Sequence, residues 1–125
     1  MISYKKLDVW RVSMETVKEI YKLTKSYPIE ERYGLISQTN RAAVSIPSNI
    51  AEGLGRNYKK DCIQFLYVSK GSAYELETLL SVALMTNIIS NQTYNKLSGI
   101  LERNIQLITG FINFLKEKSN DIDKR

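Results

Sequence analysis

The sequence predicts an all-α fold, an antiparallel up-down-up-down four-helix bundle. Three observations predict it: four long segments repeat apolar residues at spacings of three and four, only two prolines and six glycines interrupt the chain, and the breaks between segments are short. The 125 residues fit a single domain with a proper core. We expect that domain to cover residues 1–118, followed by a charged, frayed tail over residues 119–125.

The first helix is predicted from about Leu7 to Lys25. Its apolar seam has heptad spacing and consists of Leu7, Trp10, Met14, Val17, Tyr21 and Thr24. Another face carries basic residues diluted by Glu15 and Glu19. That face fits a solvated helix surface with charge pairs, and the alternative is a basic helix for a membrane surface or a nucleic acid.

The second helix is predicted from about Leu35 to Gly53, after Pro28 ends the first helix and opens the next helical segment. Pro47 lies inside the second helix and removes one backbone hydrogen bond, so we expect a bend rather than a break. Gly53 and Gly55 are expected to cap the helix and to form a tight loop. Its predicted buried face is Leu35, Thr39, Ala42, Ile46 and Ile50.

The third helix is predicted from about Tyr58 to Asn87 with Asn57 as its N-cap, and the fourth from about Gln92 to Lys118 with Ser90 or Asn91 as its cap. The seam of the third helix is Cys62, Leu66, Ser69, Ala73, Leu76, Leu80 and Ala83. The seam of the fourth is Leu97, Leu101, Ile105, Ile108, Ile112 and Leu115.

The chain has no histidine and one cysteine, Cys62, and these counts exclude much chemistry. A Ser-His-Asp or Cys-His nucleophile needs an imidazole, and a structural zinc site needs about four Cys or His ligands. We therefore expect no enzymatic activity, no metal and no cofactor. Pairing the second and third helices about Arg56 sets Ile46 against Leu66 and Ile50 against Cys62, so Cys62 is predicted to fill the core.

No signal-peptide pattern and no uninterrupted apolar stretch long enough to span a membrane is found in the sequence. We therefore expect a cytoplasmic protein without a membrane partner.

The net charge of +5 lies entirely in residues 1–60, which hold 11 basic and 6 acidic side chains. Bundle topology brings the N-terminus, the loop between the second and third helices and the C-terminus to one end. The candidate nucleic-acid-binding residues are Arg56, Lys59, Lys60, Lys5, Lys6 and Arg41. The alternative is that this charge serves only solubility.

The third and fourth helices carry more apolar surface than one bundle needs. A second stripe beside their seams predicts a homo-oligomer interface, and the alternative is a monomer that covers both stripes itself. The candidate interface residues are Ile63, Tyr67, Tyr74, Met85, Ile100, Leu107, Phe111 and Phe114.

Residues 45–53 place a proline, two serines, an asparagine and a glutamate inside an apolar helical face. We interpret this segment as mainly structural, because its polar side chains can satisfy backbone groups near the proline. The alternative is that its far end lines a functional surface near the basic loop. Its key residues are Ser45, Pro47, Asn49, Glu52 and Gly53.

This segment, with the stretches 41–43 and 71–78, resembles the four-helix-bundle family named after proteins encoded in intervening sequences of bacterial 23S ribosomal RNA genes. The family is also similar to the accessory variability determinant of diversity-generating retroelements, a basic homopentamer that binds a reverse transcriptase and nucleic acid. The resemblance implies a bacterial cytoplasmic bundle, a homopentamer and no known catalysis. Two functions follow as hypotheses: an oligomer that binds RNA or DNA through its basic end, or a scaffold for a protein partner such as a reverse transcriptase.

Overall fold

The chain folds into four α-helices, described by a computed structural model over residues 3–118; the predicted tail at 119–125 lies outside the described residues. The helices are α1 (Asp8–Thr24), α2 (Ser37–Leu54), α3 (Lys59–Met85) and α4 (Asn91–Glu117). Consecutive helices pack together, and α1 also packs against α4. The predicted antiparallel four-helix bundle is confirmed. Each helix begins and ends within two residues of the predicted position.

The core is formed by the predicted faces of α2, α3 and α4. Every predicted seam residue of α3 is buried, and so is every one of α4 except Ile105, which is half-buried. In α2 the predicted face is buried from Thr39 to Ile50, whereas Leu35 is half-buried in the turn that precedes the helix. The spacing of apolar and small residues was therefore sufficient to place the buried faces of these three helices.

The predicted buried face of α1 was wrong in part, because the observed buried face is rotated about the helix axis relative to it. Met14 and Tyr21 are exposed, and the helix buries Val9, Val12, Ser13, Thr16, Ile20 and Thr24. Burial of the small hydroxyl residues is inexpensive because their side chains bond back to the helix: Ser13 Oγ donates to the carbonyl of Trp10 at 2.6 Å, and Thr16 Oγ1 donates to that of Val12 at 3.1 Å.

A buried polar contact joins α1 to α4. The side-chain amide of Asn104 donates to Thr16 Oγ1 at 2.5 Å and to the carbonyl of Ile100 at 3.2 Å, and Asn104 is 1% exposed. A single buried amide paired across a helix interface favours one register over others. The contact therefore fixes the axial register of α4 relative to α1.

The α2–α3 contact is close because Gly53 has no side chain. A Cβ at this position would lie 2.9 Å from the Cβ of Phe65 and 3.0 Å from the carbonyl oxygen of Cys62. Further along, Ser69 Oγ donates to the carbonyl of Ile46 at 2.8 Å. The predicted register was therefore shifted, since Cys62 lies against Gly53 and Ser69 against Ile46.

The helix ends follow the predictions in part. Ser90 caps α4 by accepting a hydrogen bond from the amide of Thr93 at 3.1 Å, and α2 continues through Pro47 to Gly55 as its C-cap. Asn57 was the wrong cap for α3, since Tyr58 holds that position without a side-chain cap bond. Gly53 lies inside α2 and serves packing rather than capping.

The connection from α1 to α2 is two short helical turns, a 3₁₀ turn at Ile29–Glu31 and a π-helical turn at Arg32–Ile36. Pro28 immediately precedes the first turn. Glu31 closes the second turn by accepting a hydrogen bond from the amide of Leu35 at 3.2 Å.

Candidate nucleic-acid interface

The N-terminal turn, the α2–α3 loop and the end of α4 share one end of the bundle, which we call the basic end. Its basic side chains in the described chain are Lys5, Lys6, Arg56, Lys59, Lys60, Lys116 and Lys118. The acidic side chains at the same end are Asp8, Glu52, Asp61 and Glu117. The excess of lysine and arginine gives this end a positive field that attracts polyanions.

Lys5, Lys6 and Lys60 are exposed at the basic end. Lys5 and Lys6 belong to a 3₁₀ turn at Tyr4–Lys6, whose N-cap Ser3 accepts a hydrogen bond from the amide of Lys5 at 3.3 Å. Lys60 lies in the first turn of α3. These three predicted residues are thus accessible to a phosphate backbone.

Arg56 is held against its own protein. Its Nη2 lies 3.0 Å from Glu52 Oε2, and its guanidinium lies 4.7 Å from the centre of the Phe65 ring. The ion pair is exposed, so it contributes little to stability, but it offsets the charge that Arg56 offers to a ligand. Arg56 therefore adds less positive charge to the basic end than its side chain alone would.

Two predicted binding residues are not exposed at the basic end: Lys59 is buried there, and Arg41 lies away from it. Lys59 is only 8% exposed, because the first turn of α3 packs it into the protein rather than toward solvent. Arg41 lies on α2, 13 residues before its last residue, Leu54, and therefore about 20 Å from the α2–α3 loop at the rise of an α-helix. Both were predicted from charge and sequence alone, which do not report helix phase or axial position.

Aromatic side chains at this end differ in accessibility. Tyr58 is 54% exposed in the α2–α3 loop, where a nucleic-acid base can reach its ring. Trp10 is half-buried and packs edge-on against Tyr4, with ring centres 5.4 Å apart. Only Tyr58 of this pair therefore offers an open stacking surface.

The segment 45–53 makes internal contacts that fit its structural interpretation. Asn49 Nδ2 donates to the carbonyl and the hydroxyl of Ser45 at 2.8 and 2.9 Å, and the hydroxyls of Ser45 and Ser72 lie 2.8 Å apart. Pro47 is buried within α2. Of the key residues here, only Glu52 is exposed, and it binds Arg56.

The predicted interface stripe divides into two groups. Half of its residues are partly buried and pack on the core: Ile63, Ile100, Leu107 and Phe111. The other half is exposed: Tyr67 at 42%, Tyr74 at 48%, Met85 at 75% and Phe114 at 47%. We call this second group the exposed stripe.

Two lysines of the basic end contact the exposed stripe at Tyr67 and Phe114. Lys116 Nζ donates to the hydroxyl of Tyr67 at 2.6 Å, and Lys118 Nζ lies 5.0 Å from the centre of the Phe114 ring. Phe114 also stacks on Phe111, with ring centres 6.2 Å apart. The exposed stripe therefore runs along α3, and Tyr67 and Phe114 place it beside the lysines of the basic end.

Neither a metal cluster nor a membrane span occurs in the described chain. Over residues 3–118, no group of three or more His, Cys, Asp or Glu side chains is placed to hold a metal ion. None of the helices described here is long and apolar enough to cross a membrane.

The family model described as 23S rRNA-intervening sequence protein matches residues 5–110, which include the first three helices and most of α4. The chain belongs to this family. The resemblance predicted from residues 41–53 and 71–78 is therefore confirmed. No curated protein is similar enough to match the chain.

Among solved structures, the chain is similar to a protein of unknown function from the S23 ribosomal protein family of Bacteroides thetaiotaomicron. The two share 24% sequence identity and superpose with a TM-score of 0.76, over 83% of this chain and 97% of that one. At this identity the likeness confirms the four-helix fold alone. The similarity to the accessory variability determinant stays a prediction.

Sequence reasoning missed one surface of this family member, a groove between α1 and α2. It is open, has a volume of about 630 Å³, and includes Tyr21, Arg32, Tyr33 and Arg41 among its lining residues. An arginine and a tyrosine adjacent at an interhelical turn were a signal in the sequence. The groove itself was hidden because Tyr21 was assigned to the core.

Proposed function

We propose that this 23S rRNA-intervening sequence protein is a non-catalytic oligomer that binds the backbone of RNA or DNA through its basic end. The observation that carries the proposal is the convergence of exposed Lys5, Lys6 and Lys60 on one end of the bundle. Flexible lysines bind phosphates without sequence preference, and they gain affinity by releasing condensed counterions. We place this activity in the bacterial cytoplasm, as the resemblance implies.

Self-association is the second part of the proposal. The exposed stripe supports it, because tyrosine, methionine and phenylalanine are enriched where proteins meet. The resemblance implies a homopentamer in particular. A ring with cyclic symmetry would repeat the basic end in each copy and raise the field at its face.

A protein-partner scaffold is the second candidate function, and the exposed stripe is the observation that favours it. In this case the stripe would dock a partner such as a reverse transcriptase, and nucleic-acid affinity would be weak. Substitutions on the stripe would then abolish capture of the purified partner, whereas substitutions at the basic end would leave capture unchanged.

The basic end is tested by gel shift on structured RNA and duplex DNA. The variant K5A/K6A/K60A removes three exposed lysines from this end. The control K18A/K96A/R103A removes the same charge from the α1–α4 face, where Glu15 and Glu19 lie beside these cations. We expect K5A/K6A/K60A to bind at least about tenfold more weakly than the wild type, since three phosphate contacts are lost. The affinity of the control should lie closer to that of the wild type.

Equal weakening by the two variants would mean that net charge alone drives binding and would overturn the site. Unchanged binding by K5A/K6A/K60A, or no binding by the wild type, would overturn the function. Circular dichroism checks that both variants keep their helices.

A further inference from the structure

We propose that the groove between α1 and α2, the α1–α2 groove, is a binding site for a single-stranded segment of nucleic acid. Tyr33 provides a stacking surface for a base, and Arg32 and Arg41 bind the adjoining phosphates. The inference rests on the proposed function and adds to it a second surface, remote from the basic end and selective for unpaired bases.

Tyr33 is the aromatic residue best placed for stacking. Tyr33 is 87% exposed, although burial of an aromatic ring away from water is energetically favourable. Arg32 Cζ lies over one face of the ring, 5.9 Å from its centre, so a base would stack on the opposite face. An exposed ring with a guanidinium over one face matches the way proteins hold unpaired bases, by stacking on aromatic and arginine planes.

Arg32 and Tyr33 lie in the turn that connects α1 to α2. Arg32 and Tyr33 begin the π-helical turn at Arg32–Ile36, which Glu31 closes through its hydrogen bond to the amide of Leu35. The turn is kinked at Gly34, whose φ of -113° and ψ of -107° are not helical. The carboxylate of Glu31 is thus engaged in the turn.

The charge of the groove complements a phosphate backbone. Arg32 and Arg41 are both exposed and both line it, and none of its lining residues is acidic. Neutral hydrogen-bonding side chains complete the polar lining, Ser37 and Asn40 among them. Arginine binds phosphate oxygens through two parallel N–H donors, so a pair of arginines can hold a short stretch of backbone.

The apolar part of the lining favours a single strand over a duplex. Tyr21 is 43% exposed and Val44 is 39% exposed on the two walls. A duplex keeps its base faces stacked inside and presents phosphates, sugars and base edges, so no base face would be free to cover these surfaces. Unpaired bases can cover them.

The test measures binding of fluorescein-labelled single-stranded RNA of mixed sequence and of the matching duplex by anisotropy. The stacking variants are Tyr33→Ala and Tyr33→Phe, and the charge variant is R32A/R41A. The matched control is K18A/R103A on the α1–α4 face. We expect Tyr33→Ala to weaken single-strand binding by about tenfold and duplex binding by less than about twofold, and Tyr33→Phe to restore the wild-type affinity. R32A/R41A should weaken single-strand binding more than K18A/R103A does.

Three outcomes would overturn the inference. Unchanged single-strand binding by Tyr33→Ala removes the stacking site, and if K5A/K6A/K60A still weakens binding, the proposed function of the basic end stands. If R32A/R41A and K18A/R103A weaken single-strand binding equally, the two arginines act only through the net charge of the protein and the groove is not a binding site. A change of oligomeric state in Tyr33→Ala, measured by light scattering, assigns the groove to a contact between copies of the chain.

Discussion

Tyr27 has an environment that differs strongly from that of its free side chain. It follows α1, is 6% exposed, and its hydroxyl has no hydrogen-bond partner within residues 3–118. Burial raises the pKa of Tyr27 from 10.0 to about 12, because the phenolate would lose its hydration. The folded protein therefore favours the neutral ring.

This shift predicts a stability that depends on alkaline pH. Below pH 10 the tyrosine is neutral in both states and its contribution is constant. Between pH 10 and about 12 only the unfolded chain releases the proton, so the free energy of unfolding falls by about 1.4 kcal/mol per pH unit from this residue. Above that range the contribution no longer changes.

Urea denaturation across this pH range checks the prediction by comparing the wild type with Tyr27→Phe. The phenylalanine variant should lack this part of the decline and should be at least as stable at neutral pH, because it removes an unsatisfied buried hydroxyl. Tyr58→Phe, at an exposed position, should decline as the wild type does. A parallel decline in Tyr27→Phe would contradict the assignment.

Polar residues in the core mark the limit of sequence reasoning at this scale. Ser69 was placed correctly because it lies on an otherwise aliphatic seam. Ser13, Thr16 and Asn104 were missed, since each is satisfied by a specific partner that apolar spacing does not report. Their burial depends on bonds that exist only once the helices have packed.

At the scale of the helices, Gly53 decides how closely α2 and α3 approach. A methyl group there would meet the Cβ of Phe65 and the backbone of Cys62, both rigid parts of α3. We expect Gly53→Ala to lower the free energy of unfolding by about 1–3 kcal/mol, because the helices must separate.

Gly110→Ala is the matched control for this prediction. Gly110 lies inside α4, and a Cβ added there would have nothing within 4 Å of it, so alanine should raise the stability by about 0.5–1 kcal/mol through helix propensity. Urea denaturation of both variants gives the comparison. A Gly53→Ala variant as stable as Gly110→Ala would show that close approach does not matter.

The existence and length of the helices followed from periodicity and from the few breaking residues, but their rotation did not always follow. For α1 the heptad of large side chains indicated a seam through Met14 and Tyr21, and both are exposed. For α3 the charge of Lys59 indicated an exposed residue, and it is buried. In each case the deciding factor is contact with neighbouring helices, which a single helical pattern does not contain.

At the scale of the whole molecule, the exposed stripe predicts self-association. Light scattering at micromolar concentration should give a mass several times the 14.4 kDa of one chain, and the double variant Y74E/M85E should shift it toward that monomer mass. Charges at these positions would have to lose their hydration in a contact.

The control for self-association is M14E/Y58E, which places the same charges on exposed apolar residues outside the stripe. It should keep the wild-type mass. A wild-type mass of 14.4 kDa would contradict self-association, and equal dissociation by both variants would place the contact elsewhere.

The candidate basic end was predictable in outline because topology alone brings distant lysines together. Its details were not, since Glu52 binds Arg56 and Arg41 lies about 20 Å from the end of α2 that joins the α2–α3 loop. The α1–α2 groove was not predicted at all, because it arises from the turn at Arg32–Ile36 and the rotation of α1.

The most direct test of the central proposal, nucleic-acid binding at the basic end, is the salt dependence of the affinity for duplex DNA. A plot of log K against log salt concentration has a slope of about −0.9 for each phosphate neutralised. We predict a steep slope for the wild type and one shallower by about two to three for K5A/K6A/K60A, whereas K18A/K96A/R103A should keep a slope near that of the wild type. Equal slopes for the wild type and K5A/K6A/K60A would contradict a binding site at the basic end.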